Sequence, residues 1–183
     1  MRIPSKWSAC VAALTLCALS LALQTPEAAA GDYYLRARAG AYSPQADDVD
    51  DLDPGFGAEI TVGRYVLPML SLELSGGYYE ASKGAVDLTV KPVTLAVRLR
   101  APLPIFKPYA VAGGGAYFSK LEIAGSGSES DTTFGYFAGA GADVKLLFLL
   151  LNIEVKYLWA EHTFFRKTDI DGYVVTAGIG VEF

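Results

Sequence analysis

Residues 172–183 read Gly-Tyr-Val-Val-Thr-Ala-Gly-Ile-Gly-Val-Glu-Phe, and this stretch decides the fold. The apolar members of its alternating pattern are Tyr173, Val175, Ala177, Ile179, Val181 and Phe183. The positions between them are mostly small or polar. A period of two is typical of a β-strand with one apolar face and one small or polar face. We therefore look for the same period in the rest of the chain.

The N-terminal segment has the order of a secretory signal peptide. Two basic residues precede an apolar run from Ser8 to Leu23, and an Ala-x-Ala cleavage pattern follows at 28–30. We expect residues 1–30 to be a cleaved signal peptide and residues 31–183 to form one domain. A retained membrane anchor is the alternative, but the apolar run is short for a spanning helix.

Composition narrows the class of protein. Both cysteines lie in the signal, so the mature chain is predicted to have no disulfide and no thiolate chemistry. Without the signal, 13 Lys and Arg face 19 Asp and Glu, a balance that does not favour nucleic-acid binding. The whole chain is 52% hydrophobic with 19 Gly and 11 Tyr, yet its longest later apolar run is Leu146–Leu151. Such an exported chain is either a soluble β protein or a membrane barrel.

Eight segments of about ten residues share the alternating pattern. The predicted strands are 33–42, 55–67, 70–79, 86–99, 109–120, 134–146, 151–160 and 172–183. Connections 1, 3, 5 and 7 are polar, whereas connections 2, 4 and 6 are apolar or contain proline and are mostly tighter. An even strand count with long outer loops and short periplasmic turns is typical of outer-membrane barrels. The sequence predicts an all-β fold, an eight-stranded antiparallel up-and-down transmembrane β-barrel.

Two strands carry ambiguous patterns. The apolar residues of 86–90 occupy one parity and those of 93–99 the other, so we predict a β-bulge at Lys91-Pro92 that restores the face. The strand 109–120 contains three consecutive glycines, and we orient it with its tyrosines outward. Residues 121–133 are predicted to be a flexible polar loop.

Aromatic residues are predicted to form girdles at the two ends of the membrane-facing wall. The girdle residues are Tyr33, Phe56, Tyr78, Tyr109, Tyr117, Tyr136, Trp159, Tyr173 and Phe183. A general preference of aromatic residues for strands explains their presence, but it does not predict their position at strand ends.

Three phrases resemble recurrent patterns of a known group: residues 107–117 (KPYAVAGGGAY), residues 154–157 (EVKY) and the terminal Phe183. The mature chain is similar over nearly its whole length to the small eight-stranded outer-membrane β-barrel proteins, the OmpA-like and OmpX-like group. The resemblance implies a cell outer membrane location with both termini periplasmic after cleavage near Ala30. It also implies contact with outer-membrane lipid and lipopolysaccharide, and recognition of the C-terminal strand by the barrel-assembly machinery. We expect a monomer.

The inward parity is rich in charge. Its predicted network comprises Arg36, Arg38, Glu59, Glu73, Arg98, Arg100, Asp143, Lys145, Glu154, Lys156 and Glu182, and Asp87 and Lys91 are assigned to the same interior. Eight strands leave an interior that side chains can just fill, and buried charges must be paired or hydrated. We predict a salt-bridged polar plug. A narrow ion path is the alternative, because many inward glycines could leave space for water.

Other chemistry is sparse. A candidate divalent-cation site lies in the first loop and consists of Asp47, Asp48, Asp50, Asp51 and Asp53, although a solvated acidic loop explains it better. The single histidine, His162, lies between Glu161 and Thr163, but neighbours along a strand face opposite sides. We predict no cofactor, no metal and no catalysis.

Three functions remain. The first is a non-enzymatic outer-membrane barrel that serves envelope integrity or surface interaction through its acidic first loop and Ser/Gly-rich third loop. The second is a narrow porin-like channel or an OmpW-like conduit for small molecules. The third is a soluble periplasmic barrel of the lipocalin type, with the apolar face inside.

Overall fold

The computed structural model describes residues 33–45, 54–84, 86–123, 127–163, 167–169 and 171–183. The predicted signal peptide and the aspartates of the first loop lie outside these residues. The barrel strands are β1 (Tyr33–Pro44), β2 (Gly55–Leu67), β3 (Leu70–Lys83), β4 (Val86–Arg100), β5 (Phe106–Ile123), β6 (Gly127–Leu146), β7 (Leu149–Trp159) and β10 (Gly172–Glu182). Two short strands, β8 (Glu161–Thr163) and β9 (Lys167–Asp169), pair with each other between β7 and β10.

The eight long strands form a closed antiparallel barrel in which sequential neighbours pair and β10 joins β1. At this seam the backbone N–H of Tyr33 donates to the carbonyl of Phe183 at 3.0 Å, and the N–H of Phe183 donates to Tyr33 at 2.9 Å. The predicted fold class is therefore confirmed. The described residues contain no helix that is long and apolar enough to cross a membrane.

The two rims of the barrel differ. The chain-end rim carries Tyr33, Phe183 and the tight turns between β2 and β3 and between β6 and β7. The opposite rim, the loop rim, carries the connections after β1, β3, β5 and β7.

The wall and the interior have opposite polarity. Outward aliphatic side chains are largely exposed, such as Ile60 at 61% and Ile153 at 55%, whereas Arg36 and Arg98 inside are 0% exposed. A water-soluble barrel needs the reverse arrangement, because apolar surface is stabilised by removal from water. The lipocalin-type alternative is therefore wrong for this chain.

The predicted β-bulge in the fourth strand is absent. Residues 86–100 pair with β5 in one unbroken register, so a single parity faces inward throughout. Leu88 and Val90 consequently point into the barrel, while Asp87 and Lys91 point outward. Our assignment of the segment 86–90 was wrong because it took apolar side chains for lipid contacts, whereas the interior near the loop rim is itself apolar.

The orientation predicted for the fifth strand was also wrong. Tyr109 and Tyr117 are buried inside the barrel, so neither belongs to a membrane girdle. Phe118, the residue after Tyr117, points outward instead. Glycine makes the room for one of these rings: a Cβ at Gly141 would lie 2.5 Å from Cζ of Tyr109. A large inward side chain is thus accommodated by a glycine on the neighbouring strand.

The hairpins at the loop rim are longer than predicted. β5 and β6 remain paired as far as Ile123 and Gly127, so most of the predicted loop 121–133 is strand. β6 continues past its last pair with β7, which joins Tyr136 to Trp159. The sheet formed by β3 to β6 therefore rises above the rest of the loop rim.

Candidate functional site: the barrel interior

A balanced set of charges occupies the middle of the barrel. The four cations are Arg36, Arg38, Arg98 and Lys156, and the four carboxylates are Glu59, Glu73, Asp143 and Glu154. Every one of these residues is buried. We call them the deep network. Its formal charges cancel, which is the arrangement that buried ionic groups require in a poorly hydrated interior.

Arg98 is the centre of the deep network. Its Nε contacts Glu73, its Nη1 lies 3.3 Å from Oδ2 of Asp143, and its Nη2 lies 3.4 Å from Oε2 of Glu154. Its guanidinium carbon is also 3.6 Å from the ring centroid of Tyr109, a cation–π contact. One side chain from β4 therefore links carboxylates on β3, β6 and β7 across the interior.

The remaining pairs make the network continuous. Arg36 lies 3.0 Å from Glu73 and 2.9 Å from Asp143, the two carboxylates that it shares with Arg98. On the other side, Arg38 joins Glu154 to Glu59, from which it is 3.1 Å away. Lys156 then contacts Glu59. Each carboxylate thus bridges two cations, so removing any one cation affects at least one carboxylate.

Neutral side chains add hydrogen bonds to each carboxylate of the deep network, and sequence reasoning missed them. Tyr34 donates to Glu73 at 2.5 Å, Tyr79 donates to Glu59 at 2.6 Å, and Tyr109 donates to Glu154 at 2.9 Å. Asn152 donates its side-chain amide to Asp143 at 2.6 Å. Parity alone places Tyr34, Tyr79 and Asn152 inside, so attention to uncharged inward residues would have found them.

An apolar layer lies between the deep network and the loop rim. It includes Tyr42, Tyr79, Ala81, Leu88, Val90, Tyr117, Phe137, Leu158, Ala160 and Val174. Each of these side chains is exposed by 6% or less. We call this set the apolar cluster. Lys156 marks its border with the deep network, because its Nζ lies 5.0 Å from the ring centroid of Phe137.

A third group closes the chain-end rim. Glu182 lies 3.2 Å from Arg100, 2.6 Å from Lys145 and 3.9 Å from Lys107. Tyr65 donates its hydroxyl to the same carboxylate at 2.9 Å. Three predicted network residues, Arg100, Lys145 and Glu182, therefore belong to a separate rim cluster with excess positive charge. Lys107 was missed because its segment had been assigned to a turn.

The outer wall carries aromatic contacts near both rims. Towards the loop rim, Tyr136 stacks on Trp159 with ring centroids 5.4 Å apart, and Phe56, Tyr78 and Tyr173 are exposed. At the chain-end rim, Tyr33 stacks on Phe183 at 6.3 Å. The guanidinium of Arg64 on β2 lies 5.4 Å from the Tyr33 ring. Tyr109 and Tyr117 are inside the barrel, and the other residues predicted for the girdles lie on the wall near one of the rims; their role as membrane girdles stays a prediction.

Two other candidate sites are not formed by described side chains. The aspartates Asp47, Asp48, Asp50, Asp51 and Asp53 lie outside the described residues. His162 lies on β8, where its backbone pairs with Thr168, but its side chain is likewise outside the described part. Among the side chains that are described, no group of three or more His, Cys, Asp or Glu is arranged to hold a metal ion.

Comparison with known proteins agrees with this geometry. Residues 10–183 match the family described as "Outer membrane protein beta-barrel domain". No curated protein sequence matches the chain.

Three solved structures have a similar fold. Neisserial surface protein A (NspA) superposes with a TM-score of 0.70 at 16% identity, covering 85% of this chain and 100% of that one. The outer membrane protein OprG from Pseudomonas aeruginosa has a TM-score of 0.60 at 19% identity, with coverages of 84% and 96%. Ail, the attachment invasion locus protein of Yersinia pestis, has a TM-score of 0.58 at 15% identity, with coverages of 85% and 100%. At these identities the likeness concerns the fold.

Proposed function

The chain belongs to the outer membrane protein beta-barrel domain family, and from that premise we propose that it is a closed, non-enzymatic barrel of the cell outer membrane. Its role is to support the envelope and to present the hairpins of the loop rim to the surroundings. Both termini face the periplasm in this proposal, and the barrel acts as a monomer.

The filled interior is the observation that carries the closed state. A solute would have to cross the deep network, in which each carboxylate bridges two cations, and then the apolar cluster. A selective pore needs groups that bind the ion weakly enough to release it, and a ring of one charge sign is the usual solution. The neutral, mutually paired deep network provides neither.

Planar-bilayer recording tests the closed state. We expect purified, folded protein to insert without producing discrete conductance steps, because buried side chains fill the interior in both the deep network and the apolar cluster. A shift in gel mobility between unheated and boiled samples establishes that the inserted protein is folded. Reproducible steps from protein that passes this control would favour the narrow channel instead.

An apolar conduit with a lateral opening is less consistent with the wall. Neighbouring strands remain paired around the described barrel, and charged side chains fill the middle of the interior. The likeness to OprG concerns the fold and does not transfer a transport role. We therefore retain surface interaction as the functional proposal.

The raised β5–β6 hairpin supports that proposal. Its end carries Lys120, Glu122, Ser128 and Ser130, which are polar and exposed, so water rather than lipid surrounds it. Two proteins of similar fold are described as a surface protein and an attachment protein. A short epitope inserted between β5 and β6 should be labelled by antibody on intact cells. Labelling only after the outer membrane is opened would contradict the proposed orientation.

We further propose that β10 with Phe183 is recognised by the barrel-assembly machinery. The Phe183 side chain is 58% exposed on the outer wall, so apart from its stacking on Tyr33 it contributes little to packing. Phe183→Ala should therefore refold in detergent almost as well as the unchanged protein, yet give less heat-modifiable barrel in the outer membrane of cells. Equal loss in both assays would mean that Phe183 stabilises the fold and does not act as a signal.

A further inference from the structure

Lys91 lies on the outer wall among apolar side chains. Its cross-strand partner on β5 is Phe118, and its neighbour on β3 is the ring of Tyr78; both rings face outward. Its ammonium group lies 5.9 Å from the centroid of the Tyr78 ring. A cation on the membrane-facing wall of a barrel is costly at the bilayer centre and acceptable near the headgroups. The position of Lys91 along the membrane normal therefore decides whether it contacts acyl chains or lipid headgroups.

The outward side chains of β4 set that depth. Between Lys91 and the chain-end rim, the outward residues are Val93, Leu95, Val97 and Leu99. Eight residues separate Lys91 from Leu99; at a rise of about 3.3 Å and a strand tilt of about 40°, this is about 20 Å along the membrane normal. The apolar band of such barrels is about 25 Å tall. Beyond Lys91 the outward residues of β4 are the polar Thr89 and Asp87, so the apolar run ends at Lys91, close to the headgroups of the leaflet on the loop side.

The protein supplies no described counter-ion for this lysine. The described side chains place no carboxylate within ion-pair distance of Lys91, which lies against the Tyr78 ring. Glu80 lies on the same wall, and it accepts a hydrogen bond from Tyr78 at 3.0 Å. A cation at the headgroup level is stabilised by anionic lipid phosphate.

A groove of about 470 Å³ begins beside Lys91. Its lining includes Ile60, Val93, Ala58 and Gly76, together with the inward Arg38 and Glu59. Gly76 faces outward, and a Cβ built there would meet no atom within 4 Å. The missing side chain therefore leaves open space in the wall. An acyl chain can occupy an apolar groove of this kind. The ammonium group of Lys91, which lines the same groove, can bind a phosphate.

We propose that Lys91 and the Gly76 groove form a binding site for a phosphorylated acyl lipid of the loop-side leaflet. The phosphate contacts Nζ of Lys91, and an acyl chain lies over Gly76 between Ile60 and Val93. The inference rests on the proposed orientation, because only with the loops outward is this lipid lipopolysaccharide. The proposed lipid site lies on the outer wall and is separate from the loop-rim hairpins that the proposed function concerns.

Native mass spectrometry of the purified barrel in detergent tests the site, with bisphosphorylated lipid A as the probe. Lys91→Gln should weaken binding about fivefold, the usual contribution of one cation near anionic lipid. Gly76→Leu should also weaken binding, because its side chain occupies the groove while the charge is retained. Arg64→Gln, which removes an outward cation at the opposite rim, is the matched control and should bind as the unchanged protein does.

Two outcomes would overturn the inference. Unchanged lipid A binding by both Lys91→Gln and Gly76→Leu would remove the site. Equal or tighter binding of phosphatidylglycerol by the unchanged protein would remove lipopolysaccharide as the ligand. A gel-mobility shift on boiling shows that each variant is folded, and epitope labelling reports orientation separately, so a failure of the lipid site is distinguishable from a failure of the proposed function.

Discussion

Replacement of Arg98 by methionine is expected to destabilise the barrel by about 3–5 kcal/mol, the cost of breaking a buried ionic group by removing one partner. The substitution keeps much of the side-chain volume but removes the cation that joins Glu73, Asp143 and Glu154. Arg36 alone then neutralises Glu73 and Asp143, and the deep network acquires a net charge of about −1 in a buried site. The contact with Tyr109 is weakened as well.

The measurement is a denaturant titration of the barrel folded in phospholipid vesicles, followed by tryptophan fluorescence and by gel mobility. Lys120→Gln is the control, because it removes a cation from an exposed pair with Glu122 and should change stability by less than about 0.5 kcal/mol. If Arg98→Met were within that range too, the deep network would not stabilise the fold.

A double variant keeps this prediction informative if Arg98→Met fails to fold. Arg98→Met combined with Glu73→Gln removes one charge of each sign and restores neutrality. Because residues in one ionic network couple by about 0.5–3 kcal/mol, the double variant should recover part of the loss. An additive loss would show that the charges act independently, contrary to the shared carboxylates in the structure.

Gly63→Ala is expected to destabilise the barrel by about 2–3 kcal/mol, although it adds one methyl group. Gly63 faces inward, and a Cβ there would lie 2.0 Å from Cζ of Tyr34. The ring must therefore move. Tyr34 donates to Glu73, hydrogen-bonds Ser71 at 2.8 Å and stacks on Arg36, so its displacement disturbs the deep network.

The matched control is Gly76→Ala, the same substitution on the neighbouring strand β3, at a position that faces the outer wall. A Cβ at Gly76 meets no atom within 4 Å, so stability should remain unchanged or rise slightly. The same denaturant titration compares the two variants. Equal stability of Gly63→Ala and Gly76→Ala would mean that Tyr34 does not occupy the space over Gly63.

The two glycines illustrate why sequence reasoning was successful for the fold and less so for the interior. Alternation in β2 and β3 correctly separates inward Glu59 and Glu73 from outward Ile60 and Leu72, because a strand has two faces and the membrane selects the apolar one. The same alternation marks Gly63 as inward. It does not reveal that the glycine is needed by a tyrosine on the neighbouring strand.

The errors in β4 and β5 have one physical cause. We assumed that apolar side chains face lipid and charged side chains face the interior along the whole length of each strand. In the structure, Leu88, Val90 and Tyr117 fill the interior near the loop rim, whereas Lys91 lies on the wall. Polarity therefore changes with depth as well as with face, and a pattern read along one strand cannot show depth.

The sequence by itself determined the number of long strands, their order, most of their faces and the inward position of most of the charges, because these depend on local alternation and on the length that crosses a bilayer. Only the tertiary structure decided which charges meet. Arg98 and Glu154 are 56 residues apart in the chain and come together because the register around the closed barrel places them at one depth. The same register decides the pairing of Glu182 with Lys145, the position of Tyr34 over Gly63 and the composition of the apolar cluster. Each of these contacts joins side chains of different strands, so the pattern of one strand does not predict them.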